Sequence, residues 1–201
     1  MIELFVLYPK EYTCWTKFER KLNKILRFSQ VETLYFQHDN NNLINRYMQG
    51  NQEYIRQTKL HEGDFNNITH AIVFSDGELF QSEIRKLREL NITIRIIEIR
   101  LTRVINISEL TKYKGVQSTK EYEYIGRGSY WGNPYSMFDE GETRDEVIRK
   151  YKYDFDYEKF PHIEKSNVYK LAGKKLGCFC KPNNCHGDVL ADYLNNWDDG
   201  K

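Results

Sequence analysis

The feature that most constrains the fold is the alternation of short apolar runs with amphipathic stretches along the first hundred residues. The apolar runs predict strands, at residues 2–8, 31–36, 70–75 and 92–97. The amphipathic stretches predict helices, at residues 11–29, 43–60 and 79–90. A further apolar stretch either extends the fourth strand or adds another, at residues 99–107. Such alternation is typical of right-handed βαβ units, so we expect an α/β fold that begins with a Rossmann-like, mostly parallel sheet.

A polar, aperiodic stretch at residues 108–123 separates this half from the rest of the chain. We therefore expect two domains, a Rossmann-like one at residues 1–108 and a small α/β or α+β one at residues 116–201. In the second domain, Thr143 and Glu146 have the spacing of a capping box, which predicts that a helix begins there. The chain then ends in a predicted strand and a predicted helix, at residues 176–180 and 188–197.

Four side chains with metal-binding or nucleophilic chemistry crowd into nine residues, namely Cys178, Cys180, Cys185 and His186. Cys178 and Cys180 are two apart on a predicted strand, so their side chains share one face. Cys185 and His186 follow a turn that contains Pro182 and precede a predicted helix. This crowding indicates a specialised site near the end of the sequence.

Three interpretations of the cluster stay open at this point. The cysteines could be small buried residues that fill a tight junction between strand and helix. Alternatively, a zinc ion could be bound, with Cys178, Cys180, Cys185 and His186 as its ligands, although the spacing is unusual for zinc. In the third interpretation, which is our preferred functional one, a helix N-terminus lowers the pKa of Cys185, and His186 and Asp188 serve as acid or base.

A glycine-rich loop at residues 124–134 (YIGRGSYWGNP) is the second unusual stretch. Glycines permit close backbone approach to a ligand, and Arg127 could pair with a phosphate or carboxylate. Trp131 offers a surface on which a base could stack. The alternative is a compact turn with Trp131 in the core. The predicted ligand-binding residues of the loop are Gly126, Arg127, Gly128, Ser129, Trp131 and Asn133.

Charge and hydropathy narrow the classes of partner. Thirty Lys and Arg oppose twenty-nine Asp and Glu, a net charge of +1, which disfavours long nucleic acid as a partner and leaves a small anionic ligand open. No apolar run approaches the roughly 18 residues of a membrane span. The first residues do not resemble a signal peptide, which predicts a cytoplasmic protein, or one of the host cytoplasm if the source is viral. In that compartment, clustered cysteines are metal ligands or reactive thiols more often than disulfides.

Three segments of the second half resemble the motifs of an uncharacterised domain family found in bacteria and their viruses. The segments are YIGRGSYWGNP at residues 124–134, TRDE at residues 143–146 and LGCFCKPNNCHGDVL at residues 176–190. The resemblance covers roughly Val116–Trp197. It implies that the loop and the Cys–His cluster form one functional unit, made of Gly126, Arg127, Gly128, Ser129, Trp131, Gly132, Asn133, Pro134, Cys178, Cys180, Cys185, His186 and Asp188.

The first half is similar to the SLOG superfamily, Rossmann-like domains that bind nucleotides or nucleotide-derived ligands. The segment His70–Ile97 (HAIVFSDGELFQSEIRKLRELNITIRII) carries this similarity. It implies a ligand near Asp76, which follows a strand where open α/β sheets bind ligands. The stretch Asp39–Leu43 departs from the superfamily, because it has no glycine where an early phosphate-binding loop is expected. A scaffold or dimerisation role, and an ordinary turn at Asp76, therefore stay open.

Together these features predict a protein that binds, and as a transferase or hydrolase processes, a nucleoside, nucleotide or nucleotide-derived metabolite. One alternative is a non-catalytic sensor or sequestering protein for a nucleotide signal. Another is a structural zinc module for interaction with other macromolecules. The sequence leaves a homo-oligomer open.

Overall fold

The computed structural model describes residues 2–51, 55–61, 63–108, 110–137 and 141–200. The chain divides into two compact units. The N-terminal unit consists of Met1–Ile99 with Asp198–Lys201, and the C-terminal unit is Arg100–Trp197.

A five-stranded parallel sheet with strand order β3-β2-β1-β4-β5 forms the centre of the N-terminal unit. Its strands are β1 (Ile2–Leu7), β2 (Val31–Phe36), β3 (Arg56–Lys59), β4 (His70–Ser75) and β5 (Thr93–Glu98). Its helices are α1 (Trp15–Leu26), α2 (Leu43–Asn51) and α3 (Gln81–Glu89). The strand order reverses between β1 and β4, which confirms the expected Rossmann-like layer.

The apolar runs of this unit are buried as the sequence indicates. Phe5 of β1, Val73 of β4 and Leu87 of α3 are fully enclosed in one cluster. Aromatic rings fill another part of the core, where Phe18 of α1 stacks on Phe74 of β4 with ring centroids 5.1 Å apart. Burial of such side chains contributes roughly 1.5–3 kcal/mol each to folding.

The helix predicted at residues 43–60 is wrong in its second part. Helix α2 ends at Asn51, and Arg56–Lys59 form the edge strand β3. All four residues of β3 are exposed, so the strand carries no apolar alternation that a sequence pattern could reveal.

The C-terminal unit is built on a three-stranded parallel sheet with strand order β6-β8-β7. Its strands are β6 (Arg103–Asn106), β7 (Tyr122–Tyr124) and β8 (Lys175–Cys178). Its α-helices are α4 (Arg144–Asp156) and α5 (His186–Asn195), with 3₁₀ helices at Thr111–Tyr113 and Lys165–Leu171. The stretch at residues 99–107 thus supplies a separate strand of the second sheet. No helix among the described residues is long and apolar enough to cross a membrane.

Local signals in this unit are confirmed. Thr143 caps α4, with its side chain accepting from the Glu146 amide and the Glu146 side chain accepting from the Thr143 amide. Tyr151 and Phe155 of α4 pack with Leu190 of α5 in the core of the unit. The short strand and the helix predicted at the end of the sequence are β8 and α5, which places the cysteine-rich segment between them.

Candidate functional site

The parallel pairing of β7 with β8 brings the two unusual segments together. Tyr124, the last residue of β7, lies opposite Gly177 of β8. The glycine-rich loop and the cysteine loop therefore leave the sheet at the same edge. Between them lies a cavity of about 220 Å³, which we call the thiol pocket. Seven of the predicted site residues line it, namely Gly126, Arg127, Asn133, Cys178, Cys180, Cys185 and His186.

Three sulfur atoms converge at the thiol pocket. The Sγ atoms of Cys178, Cys180 and Cys185 all lie within 4.8 Å of one another, and those of Cys178 and Cys180 are 3.3 Å apart. None of the three cysteines is in a disulfide. Among the described residues, these three could share one metal ion, whereas His186 lies outside the group.

The three thiols do not share negative charge equally. Hydrogen bonding from the Cys185 thiol, assisted by the backbone amides of Cys180 and Phe179, lowers the pKa of Cys178 to about 6. The same contact with Cys178, together with burial, raises the pKa of Cys185. Burial and the neighbouring Cys178 raise the pKa of Cys180. The thiolate of the cluster is therefore Cys178.

The expected low pKa of Cys185 is wrong for a reason the structure makes clear. Cys185 is indeed the N-cap of α5, and its sulfur accepts from the Gly187 amide at 3.4 Å. That amide favours a thiolate, but Cys185 is almost fully buried and faces the sulfur of Cys178. Two adjacent thiolates repel each other, so only one of the two thiols is deprotonated. That thiol is Cys178, because more hydrogen-bond donors point at its sulfur.

His186 is a neutral imidazole held by the core. Its Nε2 donates to the Ile125 carbonyl oxygen at 2.9 Å, because a carbonyl can only accept. Burial lowers the pKa of His186 to about 4. The other ring nitrogen, Nδ1, lies 3.7 Å from the Cys185 Sγ. At neutral pH, Nδ1 is therefore unprotonated and faces the Cys185 sulfur, while Nε2 ties α5 to the glycine-rich loop.

Asp188 acts on the backbone of the site. Its Oδ2 accepts from the Cys185 amide at 2.9 Å and completes the capping box of α5. Its Oδ1 pairs with the Lys181 ammonium at 2.6 Å. The carboxylate is thus occupied in holding the cysteine loop, and it does not line the thiol pocket.

Two arginines line the thiol pocket, the predicted Arg127 and, in addition, Arg144. Arg127 is exposed and forms no ion pair among the residues that the structure describes. Arg144, the first residue of α4, donates to the Asn184 carbonyl oxygen at 3.3 Å and hydrogen-bonds to Cys180. Arg144 belongs to the TRDE segment, which predicts a helix cap and contributes to the family resemblance, but neither signal assigns the arginine to a site.

The aromatic surface at the thiol pocket is Phe179 rather than Trp131. Trp131 is 3% exposed and belongs to the core, which was the alternative that the sequence left open. Phe179 lies between two of the cysteines, lines the pocket and is 59% exposed. It also lines a neighbouring groove of about 530 Å³ with Tyr124. The sequence alone gives no signal for Phe179, because an exposed aromatic residue leaves no periodic pattern.

The rest of the glycine-rich loop shapes the pocket indirectly. A Cβ atom at Gly132 would lie 2.7 Å from the Gly126 carbonyl oxygen, so the loop closes on itself only with glycine there. Asn133 is engaged locally, with its Nδ2 donating to the Val147 carbonyl oxygen and its Oδ1 accepting from the Tyr135 amide. Gly128 and Ser129 do not line the pocket.

The predicted ligand residue of the N-terminal unit, Asp76, closes a turn. Its Oδ1 accepts from the amides of Glu78 and Leu79, each at 3.1 Å. Asp39 does the same at the start of α2, where its two oxygens accept from the amides of Ile44 and Asn45. A carboxylate of the chain thus occupies the helix terminus at which a glycine-rich phosphate loop was expected.

Comparison with known proteins gives the family. The minimal SLOG domain matches residues 1–105, and a domain of unknown function, DUF4326, matches residues 108–196. Over 97 residues, the chain is 40% identical to the uncharacterized 12.4 kDa protein in the nrdA–td intergenic region of Enterobacteria phage T4, which amounts to 48% of this chain and 80% of that protein. No solved structure matches. Since the first match spans more than half of the 201 residues, the chain belongs to the minimal SLOG domain family, and a DUF4326 domain follows its SLOG domain.

Proposed function

We propose that this protein binds a small nucleotide-like ligand and processes it in the thiol pocket. The observation that carries the proposal is the convergence of two arginines and three cysteines on one cavity. SLOG domains generally bind small nucleotide-like ligands, which supports the choice of ligand class. Because fold and family leave the chemistry open, the reaction is argued from the site alone.

An anionic group of the ligand binds Arg127 and Arg144 in this proposal. Guanidinium groups bind phosphate in a bidentate manner, and each such charge-assisted contact contributes about 1.5–3 kcal/mol. The two arginines come from different elements, the glycine-rich loop and the start of α4, so a bound anion bridges them.

The base of the ligand lies outside the cavity on Phe179. The thiol pocket, at about 220 Å³, is smaller than the roughly 300–1,000 Å³ of typical small-molecule sites. It therefore admits only one end of a nucleotide. Phe179 is exposed and lines both the pocket and the adjacent groove, so its ring is placed where the rest of the ligand emerges.

The reacting group in this proposal is the sulfur of Cys178, supported by Cys185 and His186. The Cys185 thiol hydrogen-bonds to Cys178 and so stabilises its thiolate. The neutral His186 packs against Cys185, with Nδ1 3.7 Å from its sulfur. Asp188 serves as a positioning residue through the Cys185 amide. The reaction would be a transfer or hydrolysis in two steps. The Cys178 thiolate first forms a bond to an electrophilic centre of the ligand while the bond to the leaving group breaks, and the leaving group takes a proton from water. A water molecule (hydrolysis) or another acceptor (transfer) then releases the group from sulfur and regenerates the thiolate.

A second candidate is a zinc-dependent form of the same site, which the spacing of the three sulfur atoms favours. Three cysteines supply three ligands of a tetrahedral zinc ion, and a fourth position would face the thiol pocket. Zinc bound there would act as a Lewis acid on a ligand atom. Metal analysis of protein purified without chelators separates the two candidates: about one equivalent supports the zinc form, and less than half an equivalent contradicts it.

The test of the proposed function is binding and turnover of a nucleotide panel by the full chain. Arg127→Ala combined with Arg144→Ala should weaken binding at least tenfold, since a tenfold loss corresponds to about 1.4 kcal/mol. Arg149→Ala, an exposed position of α4 outside the pocket, is the matched control and should bind like wild type. Equal affinity of the double variant and the control would show that the ligand binds elsewhere.

A further inference from the structure

The segment Asp198–Gly200 lies on helix α1 of the N-terminal unit through two ion pairs. The Lys17 Nζ is 2.6 Å from an Asp199 oxygen, and the two side chains are only 9% and 13% exposed. The Arg20 guanidinium holds the Asp198 carboxylate in bidentate fashion, at 2.6 and 2.8 Å. Two adjacent carboxylates are thus matched to two cations on one helix.

The N-terminal end of α1 has the properties of an anion-binding site even without the segment Asp198–Gly200. Helix α1 follows β1, next to the point between β1 and β4 where the strand order reverses. Open α/β sheets bind ligands at that point, beyond the carboxyl ends of the strands. The N-cap residue of α1, Cys14, makes no side-chain cap, and the first turn carries no acidic residue. The amides and dipole of the helix therefore favour an anion from outside the helix.

A buried hydroxyl at the same place lacks a partner. Tyr12 is 2% exposed, and its hydroxyl forms no hydrogen bond among the described residues. Burial raises the pKa of Tyr12, and the charges of Arg20, Asp198 and Asp199 also act on it, so the hydroxyl lies within electrostatic range of the ion pairs. A buried hydroxyl without a partner is destabilising, and the segment Asp198–Gly200 does not supply one to Tyr12.

We propose that the start of α1 is a binding site for a diphosphate-bearing anion and that Asp198 and Asp199 occupy it as an internal mimic. Lys17 and Arg20 hold the two phosphoryl groups in place of the two carboxylates. The Tyr12 hydroxyl donates to a phosphoryl oxygen. The site lies in the SLOG unit and does not depend on the chemistry of the thiol pocket.

The internal mimic sets the affinity of the site. A ligand binds only while the segment is displaced, so its apparent Kd equals the intrinsic Kd divided by the fraction of open molecules. The segment is part of the chain and competes at a high effective concentration, in the millimolar range for short flexible connections. Neutralising its carboxylates should therefore tighten binding, whereas neutralising Lys17 and Arg20 should abolish it.

The experiment measures binding of inorganic diphosphate to the full chain by calorimetry. Every protein carries Arg127→Ala and Arg144→Ala, so that the thiol pocket contributes no anion binding. In this background, Asp198→Asn with Asp199→Asn should bind diphosphate at least tenfold more tightly. The matched control, Glu121→Gln with Asp145→Asn, changes the net charge equally at two exposed positions of the C-terminal unit and should leave affinity unchanged.

Two results would overturn the proposal. One is equal diphosphate affinity in the Asn pair and the control pair. The other is binding that persists when Lys17→Gln and Arg20→Gln are added to the Asn pair. A second measurement uses the unsubstituted segment and follows hydrogen exchange of the Gly200 amide. This amide donates to Asp198 Oδ1 at 2.9 Å. Its exchange should accelerate when diphosphate displaces the segment. Unchanged exchange at saturating diphosphate would equally contradict the proposal.

Discussion

The two units use the carboxyl edge of a parallel sheet in opposite ways. In the N-terminal unit, acidic side chains of the chain itself occupy the polar positions at this edge, with Asp39 on α2, Asp76 in its own turn and Asp198 on α1. In the C-terminal unit, the loops after β7 and β8 leave a cavity between them. Basic side chains and thiols, rather than carboxylates, line that cavity.

This difference shows that the same sheet geometry does not by itself make a site. Both edges offer amide groups and strand ends, but a carboxylate that accepts those amides closes the position to another anion. The thiol pocket stays accessible because its arginines have no carboxylate partner among the described residues. The comparison therefore predicts different responses to substitution in the two units.

The largest expected effect is on turnover. Cys178→Ala should reduce turnover of the substrate found in the nucleotide screen by about 10³-fold or more, because it removes the proposed reacting sulfur. Cys14→Ala, at a buried free cysteine of the N-terminal unit, is the matched control and should retain activity. Steady-state kinetics of the two variants measure turnover, and thermal unfolding confirms that both variants are folded. If Cys178→Ala retains activity, the thiol pocket of the C-terminal unit is not the reactive site, and the proposed difference between the two units is wrong.

The next effect concerns the relative reactivity of Cys178 and Cys180 towards an alkylating reagent. In chelator-treated protein, alkylation of Cys178 should rise about tenfold per pH unit below pH 6 and level off above it, because its pKa is lowered to about 6. An ordinary thiol, with a pKa near 8.5, is still rising there. Mass spectrometry after iodoacetamide treatment at several pH values locates the modified residue. Labelling of Cys180 first, or a midpoint near 8.5 at Cys178, would contradict the assignment of the thiolate.

A third prediction tests how the two loops are built. Gly132→Ala should destabilise the C-terminal unit by about 1–3 kcal/mol and weaken ligand binding, because its Cβ would meet the Gly126 carbonyl oxygen. Gly77→Ala in the N-terminal unit meets no atom within 4 Å but retains a positive φ of 89°. That strain costs about 1 kcal/mol and should leave ligand binding intact. Denaturant unfolding and calorimetry distinguish the two variants.

The sequence determines more of the fold than of the site, for physical reasons. Buried strands such as β1 and β4 follow from apolar runs, whereas the exposed edge strand Arg56–Lys59 has no such signal. The convergence of Arg127 with the cysteines follows from motif resemblance. The contributions of Arg144 and Phe179 do not, because they depend on where α4 and β8 end in space. Likewise, only the packing of Cys185 against Cys178 shows which sulfur carries the charge.

The smallest expected effect tests the claim that the edge of the N-terminal unit is already filled. Asp39→Ala should lower the free energy of unfolding of that unit by about 1–2 kcal/mol, because the amides of Ile44 and Asn45 lose their acceptor. The Tyr8 hydroxyl, which donates to Asp39 at 2.5 Å, also loses its acceptor, although it still accepts from the Asn41 amide. Asn40→Ala, at the neighbouring exposed position, should change stability by less than about 0.5 kcal/mol. If both variants unfold alike, the carboxylate does not stabilise the start of α2, and the contrast between a filled and an open sheet edge loses its structural basis.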